Sequence, residues 1–382
     1  MAVFLFVPYS VPGHVHPMLP VIAELAGRGE RVRVAVGDRF ARAVRAAGAE
    51  TIVLPTIPDV YVPERPGDRL SARWLGGRLR RLVRNRQSEL LLDAQLRGPD
   101  RPDVLVVDPM LAWADRVARR HRVGTATLST TFHPNAAAFA ELARSDGGFA
   151  HPRWHRLRPL ARRARLPGRL HLANTPAELQ PALAALPPGV HLVGPLVRRR
   201  LTAPRPTGTA NRVVYVSPGT VFARGVRFFD LVVQAFAGRP WTVFLATGHL
   251  DPAALGPMPE NVLARRSHPQ LRLLAGSDVF ITHAGMNSVT EGLTAGVPMV
   301  FFPRSAEQRH LARRLTAARV GVWPDARLLS PEGLFELVEQ LVVDPAARAA
   351  SQAWQARFAA VSGAALAADL LQEQVALSPR RP

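Results

Sequence analysis

The chain predicts an α/β fold of two doubly wound domains in tandem. Three observations carry that expectation: the length, a series of short apolar runs alternating with helical spacing that occurs twice, and a proline-rich break between the two series. At 382 residues the chain exceeds what one hydrophobic core usually supports, so two domains are the natural division. Hydrophobic residues make up 47% and charged residues 20% of it, a globular balance far from that of disordered chains.

The first series opens with the β-rich run Val3 to Val7. Helical spacing follows from Pro17 to Arg28, then a strand Val32 to Val36, a helix Phe40 to Ala47 and a strand Thr51 to Leu54, which together read βαβαβ. A less regular insertion is expected from Pro55 to about Arg86, then a helix to Leu96, the strand Val104 to Val107, the helix Leu111 to Arg120 and the strand Thr125 to Leu128. Such crossovers imply parallel pairing in one twisted sheet. Residues 130–170 break the alternation, which resumes near Leu170 and at Val190 to Val193.

The proline-rich stretch Arg198 to Asn211 reads as the connection between domains. The expected division is therefore a first domain 1–200, a linker 201–211 and a second domain 212–382, with the last helices able to return to the first domain. The second series runs strand Val213 to Val216, helix Phe228 to Phe236, strand Thr242 to Ala246, a short strand near Val262, helix Gln270 to Ala275, strand Val279 to Thr282, helix Ser288 to Ala295, strand Met299 to Phe302, and helices to the end.

Composition excludes several classes. The formal net charge of +20 would ordinarily point to nucleic acid or an anionic surface. Every one of the 49 basic residues is an arginine, however, in a chain also rich in proline and alanine, a pattern of coding bias as much as of polyanion binding. Arginines cluster at Arg78 to Arg86, Arg153 to Arg169 and Arg198 to Arg200; a solvated basic face is the plain reading. No cysteine is present, which removes disulfides and thiolate metal sites. Val3 to Val7 lacks the basic flank of a signal peptide and no apolar run approaches 18 residues, so a cytoplasmic protein is expected.

The densest chemistry lies between Ser267 and Gln308. His283, Ala284, Gly285, Met286, Asn287 and Ser288 separate a buried strand from a helix that closes before Gly296 and Pro298. Gly285 lets the backbone come close, N–H groups at the helix start point at an anion, and His283, Asn287 and Ser288 add side-chain donors, an arrangement that suits a diphosphate. Glu291, one turn on, is placed to hold a ribose diol. Taken singly each residue has a plainer role as a cap or a core histidine; it is the ordered set that points to a nucleotide.

A second group sits where the first strand ends. The segment Val11 to Pro17 lies at the carboxyl edge of the first sheet, where open α/β folds place ligands, and His14 within it has a side chain that titrates near neutrality and suits a general base. Asp108 ends the strand Val104 to Val107 at the same edge, where a carboxylate can hold the second ring nitrogen of such a histidine; capping of the next helix is its plainer role. Asp103 and Asp115 are less well placed, before the strand and inside the helix. A dinucleotide-binding dehydrogenase shares the outline but fits worse: Tyr9 to Pro17 lacks a G-x-G-x-x-G turn, and Asp38 has no glycine fingerprint to support it.

These motifs, in this order, resemble the signature of glycosyltransferase family 1, the nucleotide-sugar-dependent enzymes of the GT-B fold, and in particular its bacterial macrolide-glycosyltransferase branch. The resemblance rests on His268-Pro269-Gln270, the block His283 to Glu291, Glu307-Gln308 after Pro303, and Gly13 to Pro17, which is similar to the family's Gly-His-(Val or Ile)-Asn-Pro loop. It implies two Rossmann-like domains facing across a cleft, with His14 as base, Asp108 as its partner, and a donor site of Thr220, His268, Gln270, His283, Ala284, Gly285, Met286, Asn287, Ser288, Glu291, Glu307 and Gln308. Thr220 enters through Ser217-Pro218-Gly219-Thr220, which resembles the family's phosphate-side loop. The chain departs from the family at Ser267, where a base-stacking tryptophan is usual, at His16 in place of asparagine, and at Glu307 in place of aspartate.

The activity so implied is inverting transfer of a hexose or deoxyhexose from a UDP- or dTDP-sugar to a hydroxyl of a small hydrophobic acceptor such as a macrolide, polyketide or phenol. The nucleotide sugar is a co-substrate, no further cofactor is expected, and the absence of an Asp-x-Asp motif at a strand end leads to an expectation of no metal. Acceptor contacts are expected in the irregular segments 55–86 and 130–170, with Trp74, Phe132, His133, Phe149 and Trp154 as candidates. Two other readings stay open at this point: a peripheral membrane glycosyltransferase that docks its arginine clusters on anionic lipid, and a non-catalytic helper that keeps the donor-binding shape. A nucleic-acid binder lacks any supporting motif.

Overall fold

The computed structural model describes residues 1–55, 72–145, 170–197, 211–219 and 225–377, with the side chains of 72–82, 112 and 145 outside that description. Two parallel sheets organise them. The first contains β1 (Val3–Val7), β2 (Arg31–Val36), β3 (Glu50–Val53), β4 (Val104–Val107), β5 (Gly124–Ser129), β6 (Leu170–Ala173) and β7 (Val190–Leu192), in the order β3-β2-β1-β4-β5-β6-β7. The second contains β8 (Arg212–Ser217), β9 (Trp241–Ala246), β10 (Val262–Arg265), β11 (Val279–Thr282), β12 (Met299–Phe301) and β13 (Gly321–Val322), in the order β10-β9-β8-β11-β12-β13.

The strands are mostly apolar on both faces, with many β-branched or aromatic residues, as a sheet covered by helices on each side requires. In the first sheet the period of two sorts them cleanly. Phe4, Phe6, Val32, Val34, Val104 and Val106 join one core with the helices Leu19–Gly27 and Gly363–Leu377. Leu5, Val7, Ala35, Leu105 and Val107 join the opposite core with Leu92 and Leu96 of the helix Ala72–Arg97 and Trp113 and Val117 of the helix Ala112–Arg120. In the second sheet Val214, Val216, Val243, Leu245, Val279 and Ile281 pack with Phe229, Val232 and Phe236 of one helix and Leu334, Val338 and Leu341 of another.

The chain returns its last helix to the first unit, as the expected division allowed, and departs from that division where the described part of 137–155 joins the second unit. The described parts of 1–136, 156–196 and 363–382 form one compact unit, and those of 137–155 and 197–362 form the other. In the first unit Arg28 Nη1 donates to Asp369 Oδ1 (2.5 Å) and to Gln372 Oε1 (2.7 Å), fastening the final helix. In the second, Glu141 faces His310 Nδ1 at 3.6 Å and Arg314 at 3.7 Å. The linker expected at 201–211 lies outside the described residues except for Asn211.

Three local expectations are corrected. Part of the segment expected to be irregular, from Ala72 onward, is a helix; Gly76 and Gly77 and a poor apolar period hide it from the sequence. A second helix, Ala136–Ser145, lies inside the stretch expected to break the pattern; its alanine run and the buried pair Ala138 and Leu142 were the available signal. The strand Gly321–Val322 is too short to announce itself, and a Cβ at Gly321 would run into the Met299 carbonyl, so close strand approach demands glycine there.

Candidate active site

Strand register decides which residues gather in the first unit. Val7 pairs with Val107, and Val107 with Thr127, so the segments after β1, β4 and β5 leave the sheet at one edge. The segment after β1 is helical rather than a loop: Pro12–Val15 forms one turn, with Pro12 at its start, and His16–Met18 a second. That turn carries His14 to Asp108, 94 residues away, with Nδ1 to Oδ2 at 2.6 Å. Asp108 is buried while His14 keeps 28% side-chain exposure, so the carboxylate is shielded and the ring reaches the surface. Asp108 is further oriented by backbone donors, Met110 N to Oδ1 at 2.9 Å and Tyr9 N to Oδ2 at 3.4 Å. Asp108 thus accepts a hydrogen bond on the Nδ1 side of the His14 ring, which leaves Nε2 as the ring's other nitrogen for chemistry.

Sequence reasoning missed two neighbours of this pair. Thr130 Oγ1 lies 3.3 Å from His14 Nδ1, and the Tyr9 ring meets the imidazole edge-on at 5.4 Å. Position relative to strand ends was the only signal for either. His16 is exposed and meets Phe40 edge-on at 6.2 Å. Asp103 accepts from Val3 N at 2.8 Å and Asp115 is paired with Arg119 at 2.6 Å, both structural uses.

In the second unit Thr282 is level with Ser217 and Phe301, which brings Pro218-Gly219 and His283 to Ser288 to one edge. The His283 ring lies between two glycines: a Cβ on Gly219 would stand 2.6 Å from its Cε1, and one on Gly285 would run into its Nε2. Ala284 holds φ at +61°, a left-handed conformation unfavourable for an alanine and of the kind stored at functional sites. The helix Met286–Ala295 then starts at Gly285, which has no side chain to cap it, so its first turn presents a positive pole suited to an anion.

Around the next turn, Gln270 Nε2 donates to Glu291 Oε2 at 2.5 Å, and Tyr215 Oη donates to Gln270 Oε1 at 3.1 Å. Burial pushes the Glu291 carboxyl up to about 7, the Gln270 bond opposing this, and burial likewise raises the Tyr215 phenol. His268 packs edge-on to Tyr215 (6.4 Å) and Phe244 (5.8 Å) and sits 3.1 Å from Leu263 O; its ring is engaged inside the unit rather than laid out for stacking. Gln308 is buried in a capping box: its Oε1 accepts from Arg304 N (2.7 Å) and Ser305 N (3.2 Å), while Ser305 Oγ accepts from Gln308 N. Glu307 stands in the first turn of the same helix.

The acceptor candidates fare differently. Phe132 and His133 are buried, the latter pinned by Gln180 Oε1 accepting from its N at 2.8 Å. His133 Nε2 has no hydrogen-bond partner, and burial, with the neighbouring His171, lowers its pKa to about 4. Neither residue therefore offers an open contact surface, because the turn after β5 folds inward. The side chain of Trp74, and Phe149, Trp154 and Thr220 altogether, lie outside the described residues. Among the described residues no three His, Asp or Glu side chains gather as a metal site, and no helix is long and apolar enough to cross a membrane.

Comparison with known proteins identifies the family and the fold. The family model for UDP-glucoronosyl and UDP-glucosyl transferase matches residues 199–350. The demethyllactenocin mycarosyltransferase of Streptomyces fradiae is 30% identical over 97% of this chain and 86% of its own length. The oleandomycin glycosyltransferase of Streptomyces antibioticus is 30% identical over 95% of this chain and 88% of its own. Among solved structures, the calicheamicin glycosyltransferase CalG4 superposes with a TM-score of 0.77 at 29% identity, covering 99% of this chain and all of that one. At 30% identity over nearly its whole length to these glycosyltransferases, and with their two helix-wound parallel sheets, this chain belongs to glycosyltransferase family 1 and has its GT-B fold.

Proposed function

We propose that the protein transfers a hexose or deoxyhexose from a UDP- or dTDP-sugar, with inversion, to a hydroxyl of a small hydrophobic acceptor of the macrolide, polyketide or phenol type. Two relatives, named a demethyllactenocin mycarosyltransferase and an oleandomycin glycosyltransferase, support the acceptor class. The observation that carries the reading is the 2.6 Å bond between His14 and a buried Asp108.

Each unit supplies one part of the chemistry. In the first, His14 Nε2 takes the proton of the acceptor hydroxyl as its oxygen attacks the anomeric carbon, and Asp108 steadies the imidazolium that results. The bond from that carbon to the diphosphate breaks as the new glycosidic bond forms, and the electron pair leaves with the diphosphate. In the second unit the first turn of the helix Met286–Ala295, together with His283, meets the charge that grows on it, so no metal or further cofactor is required. Gln270 and Glu291 address the ribose. Since the Gln308 carbonyl is spent on its helix cap, recognition of sugar hydroxyls falls to Glu307 and to the Gln308 amide nitrogen. A cytoplasmic setting, where such donors are made, fits this role.

His14→Ala tests the reading. Turnover with UDP- and dTDP-sugars across a panel of macrolide and phenolic acceptors is expected to fall by on the order of 10²–10⁴-fold, with nucleotide affinity by calorimetry unchanged. Undiminished turnover removes His14 from the role.

A further inference from the structure

A buried polar side chain of the second unit, Tyr215, lies outside every motif read from the sequence. Tyr215 lies within β8, 1% exposed, in a strand that is otherwise apolar apart from its ends. A buried phenol is costly unless its hydroxyl is satisfied, and this one donates to Gln270 Oε1 at 3.1 Å while the Ser217 side chain also engages it. Its ring is held rigidly, stacked on Phe280 at 5.3 Å with an 18° interplanar angle and met edge-on by His268. Burial keeps the phenol protonated, so it remains a donor.

The direction of that bond matters. A side-chain amide has two faces, and a donor held against its oxygen forces the nitrogen the other way. Gln270 Nε2 consequently points at Glu291, donating to Oε2 at 2.5 Å. One carboxylate oxygen is thereby occupied and the orientation of the other is set, while the amide itself loses its freedom to turn.

We propose that Tyr215 is a positioning residue for the nucleotide's sugar ring: acting through Gln270, it presets Glu291 to receive the ribose hydroxyls. This rests on the reading of Gln270 and Glu291 as ribose contacts. Preorganisation of this kind raises affinity by removing the cost of ordering the receiving groups at binding.

The test compares UDP with 2′,3′-dideoxy-UDP, which lacks both hydroxyls, by calorimetry on wild type and Tyr215→Phe. Wild type is expected to favour UDP, and Tyr215→Phe to shrink that preference by roughly 3- to 10-fold, the worth of one hydrogen bond, with affinity for the dideoxy nucleotide unchanged. A merely structural loss weakens both nucleotides equally, and that result, or an unchanged preference, overturns the proposal. Glu291→Gln separates the two levels. If it leaves the preference for UDP intact in wild-type background, the assignment of ribose binding to Glu291 is what fails; if it removes the preference while Tyr215→Phe does not, only the role of Tyr215 falls.

Discussion

The two polar centres of this molecule are built on opposite principles. In the first unit a hydrogen-bonded pair is assembled from side chains: His14 and Asp108 meet at 2.6 Å, with backbone donors from Tyr9 and Met110 fixing the carboxylate. In the second unit the principal feature is backbone, a helix start at Gly285 reached through a left-handed alanine and flanked by glycines that close on His283. Side chains that move a proton must be held by other side chains, because a single ring nitrogen has to face the reacting atom. A site that receives a diphosphate needs many donors at once, and main-chain N–H groups supply them with no rotamer entropy to lose.

The largest effect is expected at the side-chain centre. Asp108→Asn keeps the shape but presents an amide to His14, which no longer selects the Nδ1–H tautomer, and kcat is expected to fall by on the order of 10²–10⁴-fold with nucleotide affinity retained. A loss confined to affinity contradicts the division of labour drawn here. Next comes the backbone centre. Gly285→Ala places a methyl against His283 Nε2 at a position whose own φ of −70° any residue accepts, so crowding rather than backbone strain is tested. Affinity for UDP is expected to drop by roughly tenfold, the scale of an overpacked contact, while the thermal midpoint of the first unit's acid–base variants stays the reference for folding.

The smallest effect sharpens the contrast through pH. The Glu291 carboxyl is raised to about 7 by burial, so it is largely neutral below that value and ionises as pH rises through it. The ionised oxygens are the stronger acceptors for hydroxyls; UDP affinity measured by calorimetry is therefore expected to increase by about fivefold from about pH 6 to about pH 8. Glu291→Gln should flatten this dependence. A wild-type profile that runs the other way would mean that the neutral carboxyl is the binding form.

Much of this was open to a reader of the sequence. The alternation of VFLFV, RVRVAV and VLVV with helical spacing announces parallel sheets, because β-branched runs and helix boundaries are local signals. Motif order placed His14 and the block from His283 to Glu291 on the segments that leave the sheets at their carboxyl edges, and Gly296, at φ +70°, ends its helix as a glycine after the last apolar turn suggests. The helix Ala136–Ser145 and the two-residue strand at Gly321 were harder, the first hidden between histidines and prolines, the second too short to have a period.

What the sequence alone determined is therefore the set of elements and the kinds of group each carries. Only the tertiary structure decided which of those groups act together. His14 and Asp108 are 94 residues apart and meet because β1 and β4 are neighbours in one register; Thr130 joins them because β5 comes next. His133, expected on an acceptor surface, turns inward, and Gln308 gives its carbonyl to a helix cap. Tyr215, silent in every motif, reaches Glu291 through Gln270. Local propensity fixes dihedral angles residue by residue, but hydrogen-bond partners and burial depend on strand order, and strand order is settled by the packing of the whole sheet.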